Sequence, residues 1–306
     1  MSIIKKIKHM YDLVSTIEET KMEIETNLLL SAKAVAKGYK GNRLKKLSEA
    51  EFKVFSQNGE DGIIQYLINN IEIENETFVE FGVGDYRESN TRFLLNNDNW
   101  SGLIIDGSEE NMFGVRNWLE LWKYNLKVKT AFIDKDNIND LISSEGIIGD
   151  IGLLSVDLDG NDYYVLDAIK CISPRIVICE YNSVFGGEHP VSIPYDPNFY
   201  RTKAHYSNLY WGTSLKALMH WADNKGYTFV GCNSFGNNAF FVRNDCVGNM
   251  DSLIDSAEFV EGKYRESRDR EGNLSYVDRK KMREIIKDMD LYNVCTKEIK
   301  KVYELN

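Results

Sequence analysis

The chain has 306 residues, 43% hydrophobic and 27% charged, a makeup that builds a core and suits one large domain with appendages or two small ones. A net charge of −10 sets the fold against phosphate backbones and excludes nucleic acid as an expected partner. Five cysteines without C-x-x-C spacing exclude a disulfide framework or zinc knuckle, and no apolar run approaches the ~18–20 residues of a membrane span, so a cytoplasmic protein with reduced thiols is expected.

In residues 1–40, Ile3, Ile7, Met10, Val14, Ile17, Ile24 and Leu28 fall at alternating steps of four and three, with Lys21 in the one missing place. This heptad seam predicts a helix that either lies on the main domain or pairs as a coiled coil, and homo-oligomerisation through it is the expectation. GYKGNR (38–43) then breaks the pattern and reads as a linker.

Over residues 50–250 the pattern alternates. SQNGEDGIIQYLINNI predicts a helix with Ser56 as its N-cap, and TFVEFGV a short buried strand. A helical stretch near 89–97 precedes the strand SGLIIDG. Then come a helix in NMFGVRNWLELWKYN, a strand in LKVKTAFID, a short helix in NINDLIS, a strand in IGLLSVDLDG, a helix in NDYYVLDAIK and a strand in RIVICEYN. Strand and helix at βαβ spacing imply a parallel, doubly wound sheet. After a polar, aromatic loop over 183–211, TSLKALMHWADNKG predicts a helix, and YTFVGCN and NAFFVRN a closely joined antiparallel pair. The expected fold is therefore a Rossmann-like α/β domain of five parallel strands finished by an antiparallel hairpin. Residues 251–306, with VDRKKMREIIKDM, read as a helical appendage.

Ligands of open parallel sheets sit beyond the carboxyl ends of the strands. All five predicted parallel strands end in acids: Glu80 and Asp85, then Asp106, Asp134, the set Asp157, Asp159 and Asp162, and Glu180 with Asn182 beside it. Gly82 and Gly84 open the first turn, but the third glycine of a dinucleotide fingerprint is absent, and flanking acids would repel a pyrophosphate.

E-F-G-V-G at 80–84 resembles motif I of class I S-adenosylmethionine-dependent methyltransferases. Asp106, 22 residues beyond Gly84, is similar to their ribose-binding acid, and FID at 132–134 to their adenine contact. SVDLDGNDYYVL with ISPRIVICEYN resembles, more narrowly, the FkbM-type sugar and natural-product O-methyltransferases, with Asp in place of Glu at 159 and 162. The resemblance implies S-adenosyl-L-methionine as cofactor, bound by Glu80, Gly82, Gly84, Asp106 and Asp134, and a sugar or nucleotide-sugar hydroxyl as methyl acceptor. Two arrangements activate such a hydroxyl. His205 or His189 acts as general base from the 183–211 loop, with Asp157 and Asp159 assisting, or Asp157, Glu180 and Asn182 hold Mg²⁺, with Asp159 as a substitute ligand. His189, Tyr206, Arg201 and Lys203 are the expected acceptor contacts, Arg201 and Lys203 for phosphates. The alternatives are a non-catalytic scaffold built on the heptad helix, or an NAD-dependent oxidoreductase.

Overall fold

The computed structural model describes residues 3–118 and 120–305. Strands β1 (Thr77–Phe81), β2 (Ser101–Asp106), β3 (Leu126–Thr130), β4 (Gly149–Val156) and β5 (Ile172–Glu180) are parallel. A two-residue strand, β6 (Val191–Ser192), lies apart from them. With β7 (Tyr227–Cys232) and β8 (Asn238–Arg243) they form a seven-stranded sheet ordered β3-β2-β1-β4-β5-β8-β7. Within it β8 alone is reversed, antiparallel to both β5 and β7. The expected Rossmann-like sheet with a terminal antiparallel hairpin is the fold.

Alternating side chains along each strand feed two cores. Phe78, Ile104 and Leu153 pack with helices that include α2 (Glu60–Asn70), α3 (Arg92–Asp98) and α4 (Glu109–Arg116). Val79, Phe81 and Ile105 face α5 (Ile138–Ser143), α6 (Asp162–Ala168) and α8 (Leu215–Lys225) on the other side. Each such fully buried side chain contributes about 1.5–3 kcal/mol.

Local chemistry moves some boundaries. Helix α2 begins at Glu60, later than its predicted cap, because Asp61 Oδ2 turns back to accept from the amides of Val54, Phe55 and Ser56. Ser56 Oγ still accepts the Asp61 amide, at 3.0 Å. Helix α1 (Ile3–Ala36) is continuous; the side chains of the seam residues Ile3 and Ile7 lie outside the described set. GYKGNR is no free tether. Tyr39 is buried, with its hydroxyl donating to the Ala50 carbonyl at 2.7 Å, and Gly41 N donates to Asn70 Oδ1 at 2.9 Å.

The C-terminal appendage is helical only in part. It carries α9 (Asp251–Ser256), α10 (Arg279–Ile285) and two strands, β9 (Asp290–Asn293) and β10 (Ile299–Lys301). These strands join β6, from the 183–211 insertion, in a second sheet ordered β10-β9-β6. Phe185, Ile193 and Tyr210 of the insertion share a third core with Met282, Ile286 and Leu291. Short strands of two to four residues leave almost no periodicity in a sequence. Their pairing depends on an insertion about a hundred residues upstream.

Candidate functional site

Strand order reverses at β1 and β4, so the carboxyl ends of these strands open a crevice. Past β1, Gly82 sits at φ 70° so close to the next strand that a Cβ would lie 1.7 Å from the Asp157 carbonyl oxygen. Gly84, at φ 53°, faces open space. Its amide donates to Asp106 Oδ2 at 2.9 Å, and the Ser108 amide to Asp106 Oδ1 at 2.8 Å, so one carboxylate ties the glycine turn to the end of β2. A cavity of about 550 Å³ opens there, bordered by Gly84, Asp106, Phe132 and Leu158, by Arg201 of α7 (Arg201–Ala204) and by Tyr200 just before that helix. Phe132 is 77% exposed and stands against Gly107.

A second cavity of about 200 Å³ adjoins it, bordered by Gln57, Glu180, Trp211, Asn237 and Tyr264. The two share Asp157, Asp159, Arg201 and Glu266. The loop between β4 and α6 positions this shared wall. Buried Asp162 accepts the Leu158 amide at 2.7 Å and the Gly160 amide at 2.9 Å, folding DLDG outward over its own carboxylate. Burial pushes Asp162 up to about 6. Asp159, at φ 54°, accepts from Arg201 Nη1 at 2.6 Å. Arg201 also lies 3.6 Å from Glu266 and 4.5 Å above the Trp211 ring. Asp157, Asp159 and Glu180 each bring an oxygen within 4.8 Å of the others, and buried Glu180 Oε2 has no hydrogen-bond partner. Burial, and then repulsion by neighbouring carboxylates, holds both Asp157 and Glu180 well above the usual carboxylate range.

Of the expected cofactor residues, Gly82, Gly84 and Asp106 border the larger cavity. Glu80 does not. Its carboxylate accepts from Ser89 Oγ at 2.6 Å and the amides of Asn90 and Thr91 at 2.8 and 3.1 Å, pinning the turn after the glycines. Asp134 is spent on the amides of Asp136 and Asn137 ahead of α5, and its neighbours Phe132 and Ile133 border the cavity instead.

The expected metal set changes by one member. Asn182 borders the smaller cavity, but its Nδ2 donates to the carbonyls of Leu209 and Trp211 and its Oδ1 accepts the Val184 amide. That amide holds the insertion together, and Asp159 takes its place beside Asp157 and Glu180. His205, the expected base, borders neither cavity. Its Nδ1 pairs with Ser207 Oγ at 2.7 Å, and burial and the charge of Arg270 lower its pKa. Three expected acceptor contacts also border neither cavity. The His189 carbonyl accepts from Val191 N and Ser214 Oγ, Lys203 reaches over the Tyr200 ring, and Tyr206 lies under Arg270. Arg201 alone of that group reaches the site; Lys203, two residues on along α7, points elsewhere.

Sequence reasoning missed Gln57, Asn237, Tyr264 and Glu266. The first two stand in polar clusters, SQNGE and SFGNN, that signal turns. Tyr264 and Glu266 come from an aperiodic C-terminal stretch that folds back against Gly236 of the β7–β8 turn and Ser183 just past β5. Among the described residues no helix is long and apolar enough to cross a membrane.

No family model matches the chain, and no curated protein matches it in sequence. Among solved structures it is similar to PKMT2 from Rickettsia typhi in complex with AdoHcy, at 12% identity and a TM-score of 0.40 over 62% of this chain and 54% of that one. It is similar too to the pyocyanin biosynthetic protein PhzM, at 11% identity and a TM-score of 0.36 over 56% of this chain and 51% of that one. An O-methyltransferase from Bacillus cereus in complex with SAH gives 16% identity and a TM-score of 0.34 over 54% and 72%. The match spans about half the length of the first two. Likenesses of this order are resemblances of fold and carry no functional argument.

Proposed function

We propose that the chain is an S-adenosylmethionine-dependent methyltransferase, with the 550 Å³ cavity as donor site and the 200 Å³ cavity as acceptor site for a sugar hydroxyl. The observation that carries this is the junction: a glycine-lined donor cavity at the sheet's switch point meets a polar cavity across a wall of carboxylates. When bound, S-adenosylmethionine supplies an electrophilic methyl carbon on a cationic sulfonium. In this reading Asp106 accepts the ribose hydroxyls, Phe132 and Ile133 cover the adenine, and the bare backbone at Gly84 leaves room for close approach. The donor cavity is bordered by four acids and by Arg201 as its one basic residue, already held by Asp159. A pyrophosphate finds no free counter-charge there, which favours adenosylmethionine over NAD.

Burial and neighbouring carboxylates make Asp157 and Glu180 hold a proton more firmly than ordinary carboxyls, so whichever of them is ionised would be a stronger proton acceptor than a solvated carboxylate, and Asp157, bordering both cavities, replaces His205 as base in this reading. Asp157, Asp159 and Glu180 would also hold a divalent cation, the unpartnered Glu180 oxygen suiting a hard ion, which would lower the hydroxyl pKa. A nucleotide-sugar is the less favoured acceptor. Arg201 is neutralised by Asp159 and Glu266, and Lys203 borders neither cavity, so a diphosphate would meet net negative charge. The polar residues and the exposed Tyr264 ring suit an uncharged sugar ring.

Calorimetric titration with S-adenosylhomocysteine, with NAD⁺ in parallel, tests the reading. Micromolar binding of the first alone, weakened at least tenfold by Asp106→Ala, is expected. Binding of NAD⁺, or none of either ligand at millimolar concentration, would overturn it. Once the donor binds, uncharged sugars and nucleotide-sugars are compared as acceptors with and without Mg²⁺.

A further inference from the structure

Helix α1 takes no part in either cavity. Its 34 residues extend about 51 Å, and its C-terminal third holds the contacts with the body. Ala32 and Ala36 are buried, Leu29 packs against the cluster of Phe55 and Phe93, and Glu25 pairs with Arg92 at 3.6 Å. Before that point the seam stands in the open: Met10, Val14, Ile17 and Ile24 are 53–66% exposed. Tyr11 and Leu13, flanking the seam, are 74% and 49% exposed. A contiguous apolar stripe of this length on a free helix is a docking surface.

Charge decides what covers it. The first turns carry Lys5, Lys6 and Lys8; the stretch 18–25 carries Glu18, Glu19, Glu23 and Glu25 against the single Lys21. An anionic lipid surface would attract the first end and repel the second. A second α1 in parallel would set lysines beside lysines and glutamates beside glutamates. A second α1 in antiparallel orientation sets the basic end alongside the acidic one, within a screening length. That orientation also closes the seam on itself. Val14 meets Ile17 of the second copy, Met10 meets Lys21, whose methylene stem covers the thioether, and Ile24 and Leu28 meet the first turns.

We infer that α1 is a dimerisation helix, forming an antiparallel coiled coil with α1 of a second copy about a two-fold axis near Ser15 and Thr16. The overlap is nearly four heptads, a rod of about 40 Å. The two bodies stand at its opposite ends, each joined to its own α1 beside α2 and Phe93. This inference is independent of the proposed chemistry.

The test is sedimentation equilibrium on the full chain. A dimer is expected, with Val14→Asp and Ile17→Asp together weakening association at least tenfold and Lys21→Leu strengthening it. Orientation is read by disulfide trapping in a Cys295→Ser background, Cys295 being the exposed thiol. Met10→Cys mixed with Lys21→Cys should cross-link, and Met10→Cys alone should not. A monomer at micromolar concentration, self-linking of Met10→Cys, or α1-dependent binding to phosphatidylserine vesicles by a chain that does not dimerise would each overturn the inference. Unchanged far-ultraviolet dichroism of the double variant shows that dissociation is not unfolding, and the gain expected for Lys21→Leu stands without that variant.

Discussion

Adding one methyl group at Gly82, and separately at Gly84, isolates the contact that shapes the crevice beyond β1 and β4. Both glycines have left-handed backbone, at φ 70° and 53°, which costs an alanine about 1–2 kcal/mol at either position. Beyond that the two differ. At Gly84 nothing lies within 4 Å of the added Cβ, whereas at Gly82 the Asp157 carbonyl oxygen would be 1.7 Å away. That overlap is with backbone, so the ends of β1 and β4 must part or the Asp157 peptide must turn, an overpacking cost of about 1–3 kcal/mol. Gly84→Ala should therefore lose about 1–2 kcal/mol and Gly82→Ala about 2–5 kcal/mol, the excess appearing as a melting-temperature drop of about 2 °C per kcal/mol. Urea denaturation followed by dichroism gives the stabilities, and titration with S-adenosylhomocysteine the affinities. The Asp157 peptide borders both cavities, so Gly82→Ala should also weaken binding at least tenfold, and Gly84→Ala less. Equal losses for the two variants, or full affinity in a folded Gly82→Ala protein, would refute the view that close approach of these strands builds the crevice.

At Gly160 a Cβ would lie 2.3 Å from Phe199 Cδ1. Gly160→Ala should displace that ring, cost about 1–3 kcal/mol and speed limited proteolysis between residues 197 and 204; an unchanged cleavage rate would mean Phe199 does not anchor this wall. Asp98, which accepts from Gln65 and Asn97, is pushed up to about 6 by burial. The unfolded chain gives up that proton at lower pH, so its contribution to stability is intact below about pH 4 and is lost as pH rises through about 6. Asp98→Asn should flatten this fall, gaining on the order of 1–2 kcal/mol at pH 8 relative to pH 4.5 after allowance for partial exposure. Parallel urea curves for variant and parent that keep the same difference at both pH values would rule the explanation out.

The central sheet was readable because β1, β2, β4 and β5 are largely apolar runs with an acid at or beside the carboxyl end, a signal that needs no tertiary context. Gly82, Gly84, Asp106, Asp157 and Glu180 were found through it. The same signal misled at Glu80 and Asp134, where a strand-end acid serves its own turn: Glu80 satisfies the donors of Ser89, Asn90 and Thr91, and Asp134 those before α5. Nothing in an acid's type separates a carboxylate pointing into a crevice from one turned back on the chain. His205 misled for a related reason, since a histidine two residues before a serine forms a local hydrogen bond that spacing does not reveal. The wall of the smaller cavity was illegible because it is assembled from distant segments, Gln57, Trp211, Asn237 and Glu266, none of which shares a periodicity with the others.

The pairing of β6 with β9 has a consequence for the order in which the protein comes together. Val191 and Ser192 find their partners at Asn293 and Tyr292, so they wait for about a hundred further residues to leave the ribosome, several seconds at ordinary rates of synthesis. Strands β1, β2 and β4, beyond whose ends the larger cavity opens, are complete by Val156, long before that wait ends. The nascent chain thus passes through a stage with its sheet framed and the insertion's apolar face still bare. Covering the insertion's apolar face is the last long-range step, set by the final strands of the chain.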